Sequence, residues 1–100
     1  MRAVPAVDDE FLRLLDVALE KAKELQALYE REGKDAELAR RAVRVLETQR
    51  ADAAAGNVGS YDEGYGFAST RFVGEYDWGP EARPMIDATY AAQEYWAEHF

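Results

Sequence analysis

Apolar side chains recur at intervals of three and four along two long stretches of the chain and one shorter one, with polar residues between them. In the first stretch the recurring positions are Phe11, Leu14, Leu15, Ala18, Ala22, Leu25, Leu28 and Tyr29. That spacing gathers them on one face of a helix, predicted over 9–32, and Leu12 and Leu19 widen the face on one flank. Arg13, Asp16, Glu20, Lys23, Glu24 and Glu30 take the other side. So broad a face calls for more than one packing neighbour. Residues 1–8 read as an arm ahead of the helix, and Asp8-Asp9-Glu10 puts negative charge where a helix N-terminus favours it. Asp9 and Arg13 have the spacing of an i,i+4 ion pair.

Gly33 lies just past the last periodic residue, which suits a left-handed helix end, and Lys34-Asp35 offers the next helix its cap. The second helix is predicted over 36–54, with Leu38, Ala39, Ala42, Val43, Val45, Leu46 and Ala53 turned inward. A link this short makes the two helices antiparallel neighbours, a helical hairpin. Gly56-Asn57 stops the second helix. A third, C-terminal helix is predicted over 84–98, opened by Pro84 and carrying Met85, Ala88, Ala92, Tyr95, Trp96 and His99 on its inner stripe.

Between helices two and three the pattern changes. Residues 56–83 hold six of the seven glycines and six of the twelve aromatic residues, with acids set among the rings. Thr70, Phe72, Gly74, Tyr76 and Trp78 alternate as in a strand, while Tyr61, Tyr65 and Phe67 share the opposite parity upstream. A short β-hairpin turning near Ala68–Arg71 is one expectation, and an irregular glycine-rich loop is the other. The predicted fold is thus mainly α, one domain over 1–100: a helical hairpin, a C-terminal helix, and this segment folded across them.

Charge adds an asymmetry. The net charge is −8, and residues 56–100 carry only Arg71 and Arg83 against eight acids. Direct binding to nucleic acid or to an anionic membrane is disfavoured, because both need a basic face. A basic partner would be attracted at a distance. The exception is the second helix, where Arg40, Arg41, Arg44 and Arg50 make the only basic surface. Its readings are a solvated face partly paired by Glu37 and Glu47, a self-association or acidic-partner face, or a surface that meets the acidic middle. No apolar run approaches the length of a spanning helix, and MRAVPAVDDE lacks the apolar core of a signal peptide, so a cytoplasmic protein is expected.

Catalytic chemistry is sparsely provided. There is no cysteine, and His99 is the single histidine. Neither Ser60 nor Ser69 stands in a nucleophile elbow, Gly64-Tyr65-Gly66 lacks the lysine of a phosphate loop, and no spaced run of acids resembles a calcium loop. The expectation is a protein without enzymatic activity, cofactor or metal.

What the sequence offers instead is a surface for another protein. Tyrosine and tryptophan give large contact area at low entropic cost, and interspersed acids select a basic partner. The expected partner-binding residues are Tyr61, Asp62, Glu63, Tyr65, Glu75, Tyr76, Asp77 and Trp78, while Phe67 and Phe72 suit the core. Two alternatives stand beside this protein-binding module. One is a nucleic-acid mimic, an inhibitor of the phage anti-defence type that occupies the basic groove of a DNA- or RNA-binding complex. The other is a homodimer or assembly subunit, expected if Leu12 and Leu19 lie exposed.

Overall fold

The computed structural model describes residues 9–56 and 67–99. These form four α-helices and no strand: α1 (Asp9–Arg31), α2 (Glu37–Ala54), α3 (Ala68–Glu75) and α4 (Arg83–His99), with a 3₁₀ turn at Pro80–Ala82 leading into α4. The protein is mainly helical. The expected arm over 1–8 lies outside the described residues, as does 57–66.

Helix α1 is the central element, packed against both α2 and α4, while α3 rests on α2 and α4. The broad apolar face of α1 accounts for this, since it must be covered from two sides. Phe11, Leu15, Ala18, Ala22, Leu25 and Tyr29, spaced at three and four, are its buried residues. Opposite ends of α1 and α2 lie together. Arg50, late in α2, pairs with Asp16, early in α1, at 2.7 Å, and Arg40, early in α2, reaches Glu30, late in α1, at 3.4 Å.

The turn between them follows from Gly33. Its φ of 73° is open to glycine at little cost. It lets the Lys34 amide donate to the Tyr29 carbonyl at 2.8 Å and the Gly33 amide to Glu30 at 3.2 Å, which satisfies two carbonyls at the end of α1. Asp35 Oδ1 then accepts from the Glu37 amide at 2.9 Å, an Asx turn at the entry to α2. At the other end of α1, Arg13 turns to Glu10, with bonds of 3.0 and 2.6 Å, rather than to Asp9.

The core has two parts. Near the Gly33 turn, Ala18, Ala22 and Leu25 of α1 meet Ala39, Ala42 and Leu46 of α2, and Val73 and Met85 close the cluster. At the other end Phe11, Phe67 and Trp96 form a ring trio, with centroids 5.3 to 6.0 Å apart, beside Leu15, Ala53 and Ala92. Leu12 and Leu19 are half-buried against these clusters, so the condition set for self-association, an exposed leucine flank, is not met. Among the described residues Tyr90 is the one large apolar side chain that stands exposed.

The strand expected from Thr70 onward is corrected: Ala68–Glu75 is helix α3. The residues that decide this are Phe67, Thr70 and Val73, spaced at three and all buried. They point the segment inward with helical rather than alternating period. The start of α3 is tied to α4, because Gln93 Oε1 accepts from the Phe67 amide at 2.8 Å and also contacts the Thr70 hydroxyl. Gly74 sits where α3 and α4 come close, and a Cβ there would lie 2.7 Å from the Tyr90 hydroxyl. Local propensity, poor for a helix with Thr, Val and Gly, yields here to packing.

Candidate functional site

Where α3 ends, the chain turns extended at Tyr76 and runs through Asp77, Trp78 and Gly79 into the 3₁₀ turn. The last carbonyls of a helix need donors from elsewhere. One is supplied by Trp78, whose Nε1–H donates to the Val73 carbonyl at 2.9 Å. The indole also meets Phe72 edge-on, with centroids 6.4 Å apart. These two contacts fix the ring, which stays half-buried rather than covered.

The exposed part of Trp78 borders a cleft of about 390 Å³. Its opposite wall comes from the Gly33 turn and the start of α2, with Tyr29, Lys34, Asp35, Glu37 and Leu38, and Gly79 and Glu81 complete the lining beside Asp77. One lysine faces four carboxylates there. Lys34 is engaged, at 3.2 Å from Glu32 and 6.0 Å above the Tyr29 ring. Across the back, the Tyr29 hydroxyl donates to Glu81 Oε2 at 2.6 Å. Burial, then the bond to Glu81, push the Tyr29 hydroxyl up to about 12. The same bond holds the Glu81 carboxyl below the ordinary carboxylate range. Gly79 permits this closure, since a Cβ on it would stand 2.5 Å from the Glu81 carboxylate.

Of the residues expected to bind a partner, Glu75, Tyr76, Asp77 and Trp78 are brought together around this turn. Glu75 and Asp77 are exposed, and among the described residues neither side chain makes a hydrogen bond or ion pair. Tyr61, Asp62, Glu63 and Tyr65 lie outside the described residues. Phe67 is buried, while Phe72 is half-buried between Tyr76, at 5.0 Å, and Trp78. The sequence pattern did not single out Tyr29, Asp35, Glu37 or Glu81 as site residues. They join Trp78 only through the fold, and no local spacing could have announced it.

The four arginines of α2 are largely occupied. Arg40 lies 3.4 Å from both Glu30 and Glu37, Arg44 3.7 Å from Glu37, and Arg50 is bidentate on Asp16. The partners on α1 thus take the place expected for Glu47. Arg41 does reach the middle segment, but its partners are rings: the guanidinium stands 5.4 Å over Phe72 and 5.9 Å over Tyr76. This cation–π contact ties α2 to the end of α3.

Among the described residues no group of His, Asp and Glu is placed to hold a metal ion. Ser69 is buried in α3, while His99 is exposed at the end of α4, stacked on Tyr95 at 4.1 Å. No described helix is long and apolar enough to cross a membrane. Compared with family models, with curated proteins and with solved structures, the chain matches none.

Proposed function

We propose that the chain is a non-enzymatic binding module that engages a basic surface of another protein through Glu75–Trp78 and the cleft beside it. The observation that carries this reading is a fixed, half-exposed indole at the mouth of a cleft whose lining carries four carboxylates and one lysine. An aromatic anchor in a concavity lined mainly by negative charge has the composition of an interface hot spot. The acidic balance of residues 56–100 would steer a basic partner toward it.

The test is binding of labelled peptides of opposite charge, followed by fluorescence anisotropy at low and at high salt. Basic peptides bind and weaken as salt rises, while acidic and neutral ones of the same length do not bind. Equal binding of acidic and basic peptides, or binding of neither, would refute the reading.

A further inference from the structure

We infer that the cleft between Trp78 and the Gly33 turn seats a single arginine side chain of the partner, its guanidinium plane against the indole and its edge on Asp77. The seat presupposes the binding-module reading and adds what is recognised. The cleft, at about 390 Å³, lies within the about 300–1,000 Å³ of ordinary ligand sites and is ample for one long side chain.

Three features select arginine. The first is a ring that does not have to be ordered on binding, because Nε1–H is already spent on the Val73 carbonyl and Phe72 packs against the ring. Its π-face, unlike its N–H, is then the group left to offer, and π-faces attract cations. The second is the state of the carboxylates. Glu81 is occupied by the Tyr29 hydroxyl, Glu37 by Arg40 and Arg44, and Asp35 by the Glu37 amide. The side chain of Asp77, next to the indole in sequence, is exposed and makes no hydrogen bond or ion pair among the described residues. Of the four it is the one that offers both oxygens to an incoming cation, as a bidentate guanidinium requires. The third is geometry: guanidinium is planar, stacks on rings and presents paired N–H groups to a carboxylate, whereas an ammonium does none of the three as well. The same short segment already receives one arginine in this manner, Arg41 over Phe72 and Tyr76.

The experiment uses the whole chain and three short peptides that differ at one position, bearing arginine, lysine or neutral citrulline, with the two tryptophan indole N–H signals followed by NMR. The arginine peptide shifts the Trp78 indole signal and leaves that of Trp96, which is buried in the ring trio. The lysine peptide binds about two- to fivefold more weakly, the scale of one exposed cation–π contact, and the citrulline peptide does not bind. Asp77→Asn, at an exposed position, weakens the arginine peptide by about 1.5- to fivefold and leaves the Trp96 indole signal in place. Arginine and lysine peptides binding alike, or binding that leaves Trp78 and Asp77→Asn indifferent, would overturn the arginine seat while the module reading stands. Failure of every basic peptide to bind would overturn both.

Discussion

Substituting Gln93 by leucine tests how α3 is held, and with it how the Trp78 ring is presented. Gln93 Oε1 is the acceptor for the Phe67 amide and touches the hydroxyl of Thr70, which is 2% exposed. Leucine keeps much of the volume but removes the acceptor. Depriving a buried donor of its partner costs about 1–3 kcal/mol. For a domain of this size that lowers the melting temperature by about 5–20 °C. The damage should not stop at stability. Val73, whose carbonyl holds the Trp78 indole, is on the same short helix, so the Trp78 indole signal should move as well. Thermal unfolding by circular dichroism and the indole signals in NMR read the two effects. Combining Gln93→Leu with Thr70→Val should cost less than the sum of the single changes, because both delete the Thr70–Gln93 contact. A stability loss below about 0.5 kcal/mol, ordinary for a surface change, together with an unmoved Trp78 signal, would refute the claim that Gln93 anchors α3.

Three further outcomes are expected. Phe11→Ala, which empties the centre of the ring trio, should cost about 3–5 kcal/mol in urea unfolding; a loss below about 1 kcal/mol would show that the first turns of α1 are not packed as described. Tyr29 carries a raised pKa, so the stability it contributes is complete below pH 10.0 and is lost as pH rises toward about 12. Glu81 carries a lowered one, so its share is present above the ordinary carboxylate range and disappears as pH falls through the depressed value. Tyrosine-ring NMR titration, with Tyr29→Phe to assign the signal, should find Tyr29 ionising well above pH 10.0, toward about 12. Glu81→Gln should bring it down without restoring the ordinary value, because burial is the larger cause. Gly79→Ala should reproduce the Glu81→Gln titration, since its Cβ would stand where the Glu81 carboxylate now sits; an unchanged Tyr29 titration would show that the carboxylate accommodates the methyl group.

The helical character of the chain was legible because burial on α1 repeats at three and four, from Phe11 to Tyr29, and nothing local competes with that period. Helix α3 was not. Thr70, Phe72, Gly74, Tyr76 and Trp78 alternate as a strand would, and eight residues are too few for the helical period to outvote them. The signal that favours helix, Phe67, Thr70 and Val73 at intervals of three, becomes decisive only once Gln93 and the ring trio are in place. The candidate site was legible in half. Glu75, Tyr76, Asp77 and Trp78 stand out as acids among rings, but the facing wall, Tyr29, Asp35, Glu37 and Glu81, is assembled from the end of α1, the entry to α2 and the 3₁₀ turn. A contact such as Tyr29–Glu81, 52 residues apart in sequence, leaves no trace in local spacing. Arg41 shows the same limit: its charge was visible, but that it would stack on Phe72 and Tyr76 instead of pairing with acids depends on where α3 ends.

The most direct measurement of the central claim is an NMR map of the backbone amides and indoles of the whole chain as a basic peptide is added. The account predicts that the moving signals gather at Asp35, Glu37, Asp77, Trp78 and Gly79, and that they return as salt is raised. Movement centred instead on Arg40, Arg44 and Arg50, drawn out by an acidic peptide and not by a basic one, would contradict it.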